Sequence, residues 1–343
     1  MKIIHTADLH LDSAMETHLT AEKAGVRKAE LLQTFVSMTE YACKNGVSAI
    51  IIAGDLFDTE GTEQKRIKQQ VFSVIRENSK ILFIYTKGNH DKDSSFENMA
   101  KELKNLAIVG NDSSKAVYLD NKKICISGNP STVFAEETLN ILSLHGDINS
   151  SINLKELSPN IDYLALGHLH SYKWGKLFGR GIWCYSGCLE GRGFDETGEK
   201  GFVLLDIEGK KISHQFVPFS KRSIHKIDAV FSGYVSFKIM SEKLALLLEN
   251  IPSKDLVEIE LKGGVTEDSV IDVEGLKELF DHKFFCLRIK NCLEIQIDYT
   301  KYKNDISLKG EFVRVVEKMN IPDVEKQQVI YTGLSLLAGR EDF

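Results

Sequence analysis

Five short segments bring together residue types able to do metal chemistry. They are Asp8-Leu9-His10, Gly54-Asp55-Leu56-Phe57-Asp58, Gly88-Asn89-His90-Asp91, His145-Gly146-Asp147 and Gly167-His168-Leu169-His170, and each lies at the end of an apolar run. In an extended D-x-H or H-x-H segment the two outer side chains point to the same face, so both can reach one ion. Gly54 lets the chain turn sharply and delivers Asp55 to the carboxyl end of a strand, where open α/β sheets bind ligands. We expect Asp55 to be a carboxylate shared by two ions, and Asp58 to have the better claim to capping the next helix. Asn89 can offer a carbonyl oxygen without adding charge, His90 can donate a proton or bind a phosphoryl oxygen, and Asp91 can orient the His90 ring. A mixture of carboxylate, imidazole and one amide suits divalent Mn, Fe or Zn better than Ca or Mg, because nitrogen donors favour the transition ions.

These residues need strands to carry them. Ala49-Ile50-Ile51-Ile52-Ala53 reads as a strand buried on both faces, the signature of a parallel sheet. Further strands are expected at 2–7, 80–85, 107–109, 116–119, 123–127, 139–144, 162–166, 182–185, 201–207 and 212–217. Helices are expected at 27–45, 62–78 and 96–106, the first two from their 3.6-residue apolar spacing. After the polar break at 218–222 the texture changes. Strands are expected at 224–231, 256–261 and 284–289, with helices at 236–250, 274–280, 311–319 and 324–337, and Gly263-Gly264 as a break. No catalytic grouping is visible there, and His225 and His282 are isolated. The reading is an α/β fold, α+β overall, with domains at 1–220 and 221–343.

Composition narrows the function. The chain has 343 residues and a net charge of -6, and residues 1–220 hold 25 Lys and Arg against 28 Asp and Glu. No basic domain therefore exists to grip nucleic acid by bulk charge, so any such binding must use local patches or metal contacts to phosphate. Cys43, Cys125, Cys184, Cys188, Cys286 and Cys292 show no C-x-x-C pair and read as reduced thiols. Met1 to His5 enters a strand directly, and no apolar run reaches the ~18 residues of a membrane helix. A soluble, cytoplasmic protein with no membrane contact is expected.

The five motifs resemble those of the calcineurin-like metallophosphoesterases, over residues 1 to about 218. Asp8-Leu9-His10-Leu11-Asp12-Ser13 and Gly54-Asp55-Leu56-Phe57-Asp58 are further similar to the SbcD/YhaO-like branch of DNA-repair exonucleases. The resemblance implies a four-layer β-sandwich flanked by helices, with a smaller carboxy-terminal α+β capping domain. It implies that Asp8, His10, Asp55 and His170 hold one ion, that Asp55, Asn89, His145 and His168 hold the second, and that His90 is catalytic with Asp91 beside it. The implied cofactor is two divalent ions, manganese first and iron or zinc as alternatives. The implied activity is hydrolysis of DNA phosphodiesters in repair, as a 3'-5' double-strand exonuclease, a single-strand endonuclease or both. An SbcC-like coiled-coil ATPase and a homodimer are the implied protein partners. Two competing expectations are a small-molecule phosphodiesterase or phosphatase of the same superfamily, and a structural protein with a vestigial site. Two features depart from the branch: the stretch between Ser127 and Leu139 is short, and Tyr185-Ser186-Gly187-Cys188 stands where Y-P-G-S is common. Both bear on substrate choice.

Overall fold

The computed structural model describes residues 1–15, 19–58, 62–88, 98, 101–110, 116–296, 298, 301–302 and 304–337. The chain divides into two units, Met1–Ile224 and His225–Phe343.

In the first unit, apolar runs become strands and amphipathic spacings become helices in strict alternation at the start. β1 (Lys2–Thr6) is followed by α1 (Ala21–Lys44), β2 (Val47–Ala53), α2 (Thr62–Glu77), β3 (Leu82–Thr86) and β4 (Leu106–Val109). β1 to β4 pair in parallel, as strands joined through helical crossovers do. Then come β5 (Val117–Leu119), β6 (Ile124–Ser127), β7 (Leu139–His145), β8 (Tyr163–Gly167), β9 (Lys173–Lys176), β10 (Ile182–Tyr185), β11 (Gly201–Glu208) and β12 (Lys211–Pro218). They complete two six-stranded sheets, ordered β12-β11-β1-β2-β3-β4 and β5-β6-β7-β8-β10-β9.

The sheets face each other, which is why β2 is apolar on both sides. Ala49 and Ile51 meet Ile141, Tyr163 and Ala165 of the second sheet. Ile50 and Ile52 meet Leu31, Phe35 and Met38 of α1 and Val71 and Ile75 of α2. Outside the second sheet, Leu142, Leu144 and Leu164 are covered by Phe134, Ile148, Ile152 and Leu157. That cover comes from a segment of turns and coil, so helices flank only the first sheet among the described residues.

Three sequence expectations shift. α1 starts at Ala21 rather than residue 27, because Thr20 caps it by accepting from the backbone N–H of Lys23. β9 was not foreseen: Lys173-Trp174-Gly175-Lys176 has no apolar alternation, and it forms only as an edge strand antiparallel to β10. The helix expected at 96–106 falls mostly outside the described residues; its described end, 101–105, is turn, and β4 begins at Leu106.

The second unit is a three-stranded sheet with helices. It contains β13 (Ile224–Val230), α3 (Phe237–Leu248), β14 (Leu256–Thr266), α4 (Val273–Phe280), β15 (Cys286–Gln296), α5 (Leu308–Glu317) and α6 (Asp323–Leu337). The strand order is β13-β14-β15, with β14 and β15 parallel across α4. Gly263-Gly264 does not break the chain: both residues stay in register inside β14, opposite Leu293 and Glu294. The reason lies with Phe231, whose carbonyl a Cβ on Gly263 would strike, so this glycine marks a close backbone approach at φ +105°. No described helix is long and apolar enough to cross a membrane.

Candidate metal centre

The carboxyl ends of β1, β2, β7 and β8 meet, and the backbone there is strained. Asp8, His10, Asp55 and His168 have φ of +52°, +41°, +49° and +104°, half of the eight described non-glycine residues with positive φ. Such conformations cost about 1–3 kcal/mol each and persist where surrounding structure imposes them. Here the loops after β1 and β2 are laddered together: Asp8 N donates to Gly54 O at 3.1 Å, His10 N to Asp55 O at 3.0 Å and Leu11 N to Leu56 O at 3.1 Å. The glycines preceding the motifs have a second role. A Cβ on Gly54 would enter the His145 ring, one on Gly88 would meet the Asp55 carboxylate, and one on Gly167 would meet Ala53 O and His145.

Two groups of donors result. Ligand atoms of Asp8, His10 and His170 lie within 4.8 Å of one another, as do those of Asp8, Asp55 and His145. Asp55, the carboxylate expected to be shared, belongs to the second group, and among the described residues Asp8 is common to both. Asp8 is buried, and its two oxygens accept from the backbone N–H of His168 at 2.9 and 3.0 Å. The His168 ring belongs to neither group; it is exposed, with its centroid 5.5 Å from that of His145. Asn89, His90 and Asp91 lie outside the described residues.

The histidines fit a metal ion by a specific test. His10 Nδ1 lies 2.7 Å from Asp58 Oδ1, His170 Nδ1 lies 2.7 Å from Glu196 Oε1, and His145 Nδ1 lies 3.0 Å from Ala53 O. Each Nδ1 is thus engaged by an oxygen acceptor, which fixes the tautomer and directs Nε2 inward, as in carboxylate–histidine–metal arrangements. The His145 Nε2 atom stands 3.1 Å from Asp55 Oδ2, a buried carboxylate.

Asp58 and Glu196 contact the candidate ligand rings in ways that the sequence did not reveal. Asp58, expected from the sequence to cap the next helix, has its carboxylate bonded to the His10 ring. Glu196 follows Gly191-Arg192-Gly193-Phe194-Asp195, with no strand-end pattern to mark it, and it reaches His170 from a loop far along the chain. Cys188, where a serine was expected, is buried and donates to Glu196 Oε2 at 3.6 Å.

Charge at this site couples ion binding to protons. Burial, the largest influence, raises the Asp8 pKa despite the histidines around it. For His145, burial disfavours the charged ring, but the Asp55 and Asp8 carboxylates outweigh it and the pKa is raised. His170 behaves alike: burial opposes charge, and Glu196 and Asp8 prevail. Glu196 is pulled down to about 2, because His170 and Arg192 overcome its burial. Raised histidine pKa values mean that protons and ions compete for Nε2 beyond the ordinary pH of ~6.5. Ion affinity is therefore expected to climb from pH ~6 to ~8 with net proton release, read by calorimetric titration in buffers of different ionisation heat. A pH-independent affinity would contradict ligation by these rings.

A two-sheet α/β sandwich gathering carboxylates and imidazoles at its strand ends has the architecture of a metallophosphoesterase. The family model for the calcineurin-like phosphoesterases matches residues 1–172, half of the chain. The chain belongs to this family, whose members are hydrolases acting on phosphate esters with a dinuclear metal centre. It is 25% identical to the DNA double-strand break repair protein Mre11 of Sulfolobus acidocaldarius, over 100% of both chains. It is 26% identical to the uncharacterized metallophosphoesterase YhaO of Bacillus subtilis, over 63% of this chain and 60% of that protein. It is 24% identical to the SbcD component of the nuclease SbcCD of Staphylococcus saprophyticus, over 68% of this chain and 72% of the relative.

Proposed function

We propose that this chain is a two-metal DNA nuclease acting in repair, with exonuclease activity on duplex ends, endonuclease activity on single strands, or both. The observation that carries the reading is the pair of donor groups joined at Asp8, with three imidazoles held at Nδ1 so that Nε2 is presented to an ion. The likeness over the full length to a protein named for double-strand break repair supports DNA as the substrate. In this reading Asp8, His10, Asp55 and His170 hold one ion, and Asp55, Asn89, His145 and His168 hold the other, with Asp8 within reach of both and manganese the resident metal. Residues 1–220 form the nuclease domain and residues 221–343 a capping or partner-binding domain, and the protein partner is an SbcC-like coiled-coil ATPase.

When bound, such a pair of ions polarises a phosphoryl oxygen and a water. The chain supplies the rest. Asp58 and Glu196 hold the imidazoles of His10 and His170 in orientation. His90, oriented by Asp91, donates a proton to the leaving oxygen or stabilises its charge. His90→Asn is accordingly expected to keep both ions while turnover falls at least ~100-fold. Unchanged turnover would remove His90 from the chemistry.

A small phosphodiester is the second reading, favoured by the even acidic charge, net -6 without a basic domain. The two readings separate in one assay with manganese: labelled duplex DNA, single-stranded DNA and bis-p-nitrophenyl phosphate. Cleavage of either DNA supports the nuclease. Hydrolysis of the small ester with both DNAs left intact would overturn it.

A further inference from the structure

Arg192 stands behind the candidate metal centre and touches both carboxylates that orient its histidines. Its Nη1 donates to Asp58 Oδ2 at 2.8 Å, while Nε and Nη2 donate to Glu196 Oε1 at 3.2 and 3.1 Å. Asp58 in turn binds the His10 ring and Glu196 the His170 ring, and the two ring centroids lie 5.2 Å apart. One guanidinium thus closes a chain of five side chains: His10, Asp58, Arg192, Glu196 and His170.

The loop bearing Arg192 is itself anchored. Arg192 N donates to Glu196 Oε2 at 2.8 Å, and Glu196 N to Gly193 O at 2.9 Å, so the arginine and the glutamate belong to one closed turn. Just before it, Gly191 O accepts from the buried Arg27 of α1 at 2.7 Å, and Glu190 accepts from Thr34 at 2.7 Å. A planar fork with fixed donor directions can pin two carboxylates at a set separation, which a single ammonium on a flexible stem cannot.

We infer that Arg192 is the positioning residue of the His10–His170 ion site, setting the angle between the two imidazoles by pinning Asp58 and Glu196 together. The inference rests on the metal reading proposed above and assigns a role within it. Arg192 Nη2 also lies 3.4 Å from His170 Nδ1. Arg192 acts through two carboxylates, and its loss should weaken one ion site while sparing the Asp55–His145 side.

The test compares the full chain with Arg192→Lys, Arg192→Gln and Arg192→Ala, first stripped with chelator and then titrated with manganese by calorimetry and by elemental analysis after dialysis. The wild type is expected to take up two ions. Each variant is expected to retain one site at wild-type affinity and to bind the other ~10–100-fold more weakly, the usual effect of removing a residue that orients metal ligands. Lysine should not restore it, because it cannot fork between both carboxylates. Millimolar methylguanidinium should partly restore the second ion in Arg192→Ala, a response that a merely structural arginine would not show. Thermal melting of the chelator-treated proteins identifies any variant that fails to fold, and Arg192→Lys, which keeps the charge, then carries the comparison. Two ions bound at wild-type affinity by a folded Arg192→Lys or Arg192→Gln would overturn the inference. A wild type that binds no ion would instead overturn the metal reading beneath it.

Discussion

Asp8→Asn is expected to remove both ions and to lower turnover on any phosphodiester by about a thousandfold or more. Asp8 is the carboxylate common to the two donor groups, so neither group survives without it. Lewis-acid stabilisation by a bound ion is worth several kcal/mol, and each ~1.4 kcal/mol is tenfold in rate. Asparagine keeps the size of the side chain and one oxygen to accept from His168 N, so the loss is chemical rather than architectural. Stability should move the other way. Burial raises the Asp8 pKa, which means that the ion-free fold disfavours the charged carboxylate, and a neutral residue removes that burden. The ion-free variant should therefore melt no lower than the ion-free wild type at neutral pH, while the manganese-dependent rise in melting temperature disappears. A variant that still melts higher with manganese, or that still turns over at the wild-type rate, would show that Asp8 does not hold the ions.

Gly54→Ala should have the second largest effect, through backbone strain and a clash with His145 together. Gly54 has φ of +90°, and an added Cβ would enter the His145 ring from Nδ1 to Cβ. Unfolding free energy is expected to drop by about 1–3 kcal/mol from the disfavoured conformation, with a further loss because His145 must move. The natural control is Gly46→Ala at the end of α1, where φ is +66° but nothing lies within 4 Å of an added Cβ. That variant should lose about 1–2 kcal/mol and no ion. Urea titration and metal analysis of the two proteins read the difference. Equal losses and equal ion content would mean that Gly54 serves only the turn.

What the sequence revealed follows from which interactions are local. β2 was legible because Ile50 and Ile52 face helices while Ala49 and Ile51 face the second sheet, so burial on both faces leaves a continuous apolar run. Asp8, His10, Asp55, His145 and His170 were singled out in the sequence because each lies at or just past the end of an apolar strand. The ring contacts of Asp58 and Glu196 were not legible, since what identifies them is a partner 48 or 26 residues away rather than any neighbour in sequence. β9 escaped for a related reason: as an edge strand with Lys173 and Lys176 exposed, it is formed by pairing with β10 and carries no pattern of its own. Gly263 misled because a glycine required by a close backbone approach looks the same in sequence as one that ends a strand. The place of Asp8 in both donor groups among the described residues was not legible either, since it arises from the convergence of separate strand ends.

The central claim is that two ions sit where β1, β2, β7 and β8 end. Anomalous diffraction from crystals grown with manganese tests it most directly. Two peaks are expected, one at ligand distance, about 2.0–2.3 Å, from Asp8, His10 and His170, and a second equally close to Asp8, Asp55 and His145. Crystals soaked in manganese that show no anomalous peak at either position would contradict the account.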